Sequence, residues 1–67
     1  MRYYVNRNSQ AGGEHEVHRQ GCPVFPSPEN ARYIGDFLSC REARIEAKRQ
    51  YLIVDGCAVC SPECHTR

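Results

Sequence analysis

The stretch Cys57-Ala58-Val59-Cys60-Ser61-Pro62-Glu63-Cys64-His65 places three thiols and an imidazole within nine residues. A Cys-x-x-Cys turn aims two sulfurs at one point, which is half of a tetrahedral zinc site. The same pair can serve as a redox dithiol or enter a disulfide framework. A zinc site that holds a small fold together draws its other ligands from a distant segment. His18-Arg19-Gln20-Gly21-Cys22 fits that need: His18 ends an extended segment, and Gly21 lets the chain bend so that Cys22 returns to the same point. The expected quartet is His18, Cys22, Cys57 and Cys60, with Cys64 or His65 as substitutes for His18. His15 is expected to stand apart, because residues 15 and 18 of one strand point to opposite faces.

The surrounding chain must bring these groups together. With 67 residues it is expected to form one domain spanning 1–67. A chain of this size gains only about 3–5 kcal/mol from its core, so a staple is expected. Tyr3-Tyr4-Val5 and Glu14 to Arg19 read as a β-hairpin joined by a polar, glycine-bearing loop. Pro23, Pro26 and Pro28 exclude helix and central strand from residues 21–30, and Arg32-Tyr33-Ile34 reads as a third short strand. A helix is expected from about Ser39 to Leu52. Ser39 with Glu42 makes a capping box, Leu38 and Ala43 occupy the staple positions, and Asp55-Gly56 reads as the turn that follows. The fold class is therefore α+β, a two- to three-stranded antiparallel sheet packed on one helix, with the cysteine-rich turn clamped back onto the hairpin.

On the helix, Cys40, Ala43, Ala47 and Tyr51 share the stripe expected to face the sheet. Cys40 there reads either as a buried free thiol, acting as a small hydrophobe, or as the disulfide partner of Cys64. Arg41, Arg44 and Lys48 form a neighbouring basic stripe, a candidate surface for nucleic acid or protein. The net charge is only +1, so such a role rests on segregated charge and not on a global excess. No apolar run reaches signal-peptide or membrane-span length, and five cysteines cannot all pair within one chain. The first point favours a cytoplasmic chain, bacterial or in a virus's host, where thiols stay reduced, and both favour a metal staple over a disulfide one. A redox role for Cys57 and Cys60 would ask for the first thiol at a helix N-terminus after a strand, whereas this pair follows the only long helix. No hydrolytic or group-transfer constellation and no small-molecule substrate site is legible.

Two resemblances bear on this. His15-Glu16-Val17-His18, Gly21-Cys22, Gly35-Asp36-Phe37 with Cys40 and Ala43, and Gly56-Cys57 with Cys60, Cys64 and His65 together resemble a family of very small bacterial proteins with no assigned activity. More distantly, the order His18, Cys22, Ser39, Glu42, Ala43, Cys57, Cys60 is similar to the Ada-type metal-binding mini-domain found beside DNA-repair and nuclease modules. That resemblance implies a zinc ion and a DNA-contacting surface. The chain departs from the pattern in its extra Cys64-His65, in Asp55-Gly56 before the turn, and in lacking basic residues around it. The expected function is thus a non-enzymatic, zinc-clamped interaction module for protein or nucleic acid. The alternatives are a disulfide-stabilised binding or inhibitor protein, phage- or pathogen-encoded, and a thiol redox protein.

Overall fold

The computed structural model describes residues 1–66. Strand β1 (Arg2–Asn6) and strand β2 (His15–Arg19) form the expected antiparallel hairpin, with Tyr4 opposite His18 and Val5 opposite Val17. A proline-led 3-10 turn (Pro28–Asn30) leads into β3 (Ala31–Asp36), which pairs antiparallel with the other edge of β1. Helix α1 (Cys40–Ala47) follows, then a short strand β4 (Val54–Gly56) and a final 3-10 turn (Pro62–Cys64). The sheet order is β3-β1-β2-β4.

The sheet is larger than the sequence suggests, and it is mixed. Strand β4 runs parallel to β2, with Glu16 opposite Asp55 and Val17 opposite Gly56. Asp55-Gly56 is therefore buried strand and not the turn it resembles. Gly56 is required there for lack of a side chain: a Cβ would sit 2.5 Å from the Cys64 Cβ and 2.9 Å from the Ser61 carbonyl oxygen. The C-terminal segment crosses that strand at a distance only glycine permits.

Helix α1 stops about one turn earlier than expected. After Ala47 the backbone tightens, with the Gln50 and Tyr51 amides both donating to the Ala47 carbonyl. Tertiary pairing ends the helix: Tyr51 stacks on the His15 ring at 3.9 Å, and the Ile53 carbonyl accepts the His15 amide, drawing residues 53–56 into the sheet. The start is also different in detail. Ser39 is the N-cap, but its hydroxyl makes no capping bond, and Glu42 accepts from the Leu38 amide, one residue earlier than a capping box would place it. Leu38 is 96% exposed and makes no staple with Ala43.

The helix face is as expected. Cys40, Ala43 and Ala47 are buried against Tyr3, Val5, Val17 and Val54, with Ile34, Phe37 and Tyr51 at the margin. Most of these side chains are small, so the layers approach closely but bury little area per residue. Cys40 is not a free thiol: it is disulfide-bonded to Cys64, 24 residues on, inside this same core. The bridge fixes the start of α1 to the C-terminal turn.

Candidate metal centre

The fold brings the four expected ligands into one place. His18, Cys22, Cys57 and Cys60 each offer a donor atom, and these atoms all lie within 4.8 Å of one another. Such a cluster can hold a metal ion. It joins two segments 35 residues apart, the Cys22 and Cys57 sulfurs standing at 3.8 Å.

Each donor is placed by backbone structure. His18 is the penultimate residue of β2 and is almost wholly buried. Behind β2, Gly21 adopts φ +86° with nothing crowding its missing side chain, so conformation alone selects glycine there. The Cys22 amide closes this turn onto the Arg19 carbonyl, and Cys22 lands beside the strand it has just left. On the other segment, the Cys57 amide donates to the Val17 carbonyl and extends the β2–β4 pairing by one bond. The Ser61 amide returns to the Cys57 carbonyl and folds the Cys-x-x-Cys turn. Both half-sites thus grow directly from neighbouring strands.

The sulfurs sit among N–H groups that suit thiolates. The Arg19 amide donates to Cys60 Sγ at 3.3 Å, and the Ser61 hydroxyl lies 3.6 Å from the same sulfur. The Val24 amide reaches Cys22 and favours its thiolate form. These donors do not prevail over the surroundings: burial, followed by the neighbouring Cys60 and Cys57 thiols, pushes the Cys22 thiol up to about 12. A cation among these sulfurs would offset the cost of a buried thiolate at Cys22. Burial also holds His18 below its ordinary value, so the imidazole is neutral and has a lone pair to give. Its Nδ1 is buried with no hydrogen-bond partner among the described residues. A buried, unsatisfied nitrogen costs about 1–3 kcal/mol, and coordination would remove that cost.

The two substitutes take other roles. Cys64 is consumed by the disulfide. His65 directs Nδ1 to the Gly56 carbonyl at 2.9 Å and to the Asp55 carboxylate at 3.0 Å. The other carboxylate oxygen of Asp55 accepts the Thr66 amide and hydroxyl at 2.8 and 2.9 Å. Asp55, which reads in sequence as a turn former, is in fact the anchor of the C-terminal segment. His15 stands apart from the cluster, as strand alternation requires; its ring stacks on Tyr51 and contacts the Asn6 carbonyl. Cys57 leaves a strand into a turn, not into a helix N-terminus, so the setting that activates a redox dithiol is absent from its surroundings.

On the basic stripe, Arg41 and Lys48 are exposed and Arg44 is half-buried. Arg44 and Lys48 line a shallow cleft with Leu52, Ile53, Val54 and Thr66. No helix among the described residues is long and apolar enough to cross a membrane. No protein-family model, curated protein or solved structure matches the chain.

Proposed function

We propose that the protein is a non-enzymatic interaction module whose fold is closed by one zinc ion bound to His18, Cys22, Cys57 and Cys60. The observation that carries this is the convergence of four donors from β2, the turn after it, and the turn after β4. Zinc is favoured by ligand type and spacing. Three thiols and an imidazole match a structural Cys3His site, and Zn–S bonds of about 2.3 Å at tetrahedral angles set sulfurs ~3.8 Å apart. The Cys22–Cys57 separation is 3.8 Å. The order of these residues along the chain, similar to the Ada-type mini-domain, supports the same ion. The core location of the Cys40–Cys64 bridge, which shields it from reductant, is compatible with a cytoplasmic protein.

Native mass spectrometry tests the reading. One zinc per chain is expected, lost on denaturation, together with a deficit of two hydrogens for the single disulfide. A chain purified with zinc available but carrying none, with the melting curve unmoved by chelator, would refute it. That outcome would leave the second reading, a disulfide-stabilised binding protein, which the Cys40–Cys64 bridge favours.

The partner we favour is a polyanion or acidic protein surface meeting Arg41 and Lys48, with Arg44 at the edge. Binding to single- or double-stranded DNA that weakens with rising salt, and weakens further in R41E/K48E, is the expected behaviour. Affinity indifferent to salt would remove nucleic acid from consideration.

A further inference from the structure

Glu16 stands two residues before His18 on the same face of β2, and its role is not explained by the ligand set alone. Its Oε1 lies 3.5 Å from His18 Nε2, and both side chains are largely buried, at 20% and 3% exposure. The two ring nitrogens of His18 are therefore in unlike settings. Nε2 faces a carboxylate, while Nδ1 is buried and has no hydrogen-bond partner among the described residues. A ligating imidazole binds through one ring nitrogen and keeps its proton on the other, and the carboxylate acceptor stands at Nε2. We infer that His18 ligates the metal through Nδ1 and that Glu16 is a positioning residue, holding the ring by accepting the Nε2–H.

The inference rests on the metal reading above. Metal-bound histidines characteristically donate their other N–H to a carboxylate or carbonyl, which fixes the tautomer and the ring plane and raises ligand basicity. At 3.5 Å the contact is longer than a strong N–H···O bond, which falls at about 2.7–3.2 Å. Coordination at Nδ1 withdraws electron density from the ring, makes the Nε2–H a better donor and favours shortening the contact. Strand geometry suits the arrangement: residues i and i+2 share a face, so the carboxylate and the ring are held side by side by β2 without any loop having to order. Glu16 is itself fixed from the other flank by the parallel pairing with Asp55. Electrostatically it faces the like charges of Asp55 and Glu14 and the ring of His65. Its Oε1 lies on the side of the His18 ring.

The test uses the full chain with zinc as the probe. Long-range proton–nitrogen NMR of the zinc-bound wild type should show His18 protonated at Nε2 and metal-bound at Nδ1. Zinc affinity by chelator competition should fall about 10–100-fold in E16A. In E16Q, whose amide oxygen still accepts the Nε2–H, it should stay within about tenfold of wild type. His18 bound through Nε2, wild-type affinity in E16A, or E16Q as weak as E16A would each overturn the assignment of Glu16. The NMR result decides the matter even if E16A fails to fold. A wild type that takes up no zinc at all would instead refute the metal reading.

Discussion

At the scale of single residues, the proposed site would set protons and a cation in competition for three sulfurs. Each thiol must lose its proton to bind metal, so affinity rises with pH until that thiol is ionised in the free protein. The Cys22 thiol is pushed up to about 12 by burial and by its sulfur neighbours. It still carries its proton throughout the neutral range, and metal must displace it there. His18 contributes no such dependence above its lowered pKa, because the neutral ring is the ligating form. The expected outcome is that log affinity for zinc climbs by at least one per pH unit between pH 6 and 8. In C22S the slope should fall by one and the affinity with it, measured by chelator competition across that range. An affinity flat in pH would mean that thiolates are not the ligands. In the metal-free protein the sign reverses. A thiol whose pKa is higher folded than unfolded stabilises the fold below its ordinary value near 9.0 and ceases to do so as pH rises toward about 12. The metal-free chain is therefore expected to melt at lower temperature at pH 10 than at pH 8, with the loss reduced in C22S.

At the scale of elements, the ligands were easier to read from sequence than the frame that holds them. His18, Cys22, Cys57 and Cys60 announce themselves by residue type and spacing, and the hairpin, third strand and helix face follow from alternation and helical period. Strand β4 was hidden because Asp55-Gly56 carries turn chemistry, and its three residues are too few to show a period. Its strand character comes from pairing with β2, a contact between residues about 39 apart along the chain. The same contact explains the early helix end, since residues 48–52 are good helix formers that are pulled away by Tyr51 and Ile53 docking on His15. Cys40 has the sequence signature of a buried helix residue, which leaves a free thiol and a bridge to Cys64 both open, and the crossing of the C-terminal segment over Gly56 decides for the bridge. Glu16 is silent as a site residue in sequence, because the role proposed for it depends on which His18 nitrogen is left for a carboxylate. The crossing has a direct consequence. In Gly56→Ala the new methyl meets the Cys64 Cβ at 2.5 Å and backbone atoms below 3 Å, so strand and tail must separate. Overpacking of this kind costs about 1–3 kcal/mol, which for a domain this size lowers Tm by roughly 4–8 °C per kcal/mol. By contrast, Leu52→Ser removes a side chain that is 94% exposed, and Tm should move by no more than about 0.5 kcal/mol equivalent. Thermal melts of the two variants with zinc and disulfide both intact check the contrast.

At the scale of the whole molecule, two staples meet in one short segment. The ion proposed at the His18–Cys22–Cys57–Cys60 cluster would tie residues 57 and 60 to the end of β2, and the disulfide ties residue 64 to the start of α1. Between them lies Ser61, buried, its amide on the Cys57 carbonyl and its own carbonyl receiving the Cys64 amide. Ordering residues 57–64 is thus a cost common to both staples: whichever forms first removes conformational freedom that the other would otherwise have to remove. Fixing a backbone costs about 1–2 kcal/mol per residue, so even partial sharing over this segment makes the staples cooperative. The disulfide alone is worth about 2–4 kcal/mol, comparable with what a core of this size supplies. Linkage then requires reciprocity: breaking the disulfide must weaken zinc binding by the same factor by which removing zinc makes the disulfide easier to reduce. In C40A/C64A, zinc affinity should drop by about 5–150-fold, the range of a 1–3 kcal/mol coupling, although neither residue is a ligand. In the wild type, chelator should shift the disulfide toward reduction by an equal factor in a thiol-exchange titration. Equal zinc affinity in C40A/C64A and wild type would show that the two staples act on separate parts of the fold. A matched pair of shifts would show that residues 57–64 form one cooperative unit, set by the metal from one end and by the disulfide from the other.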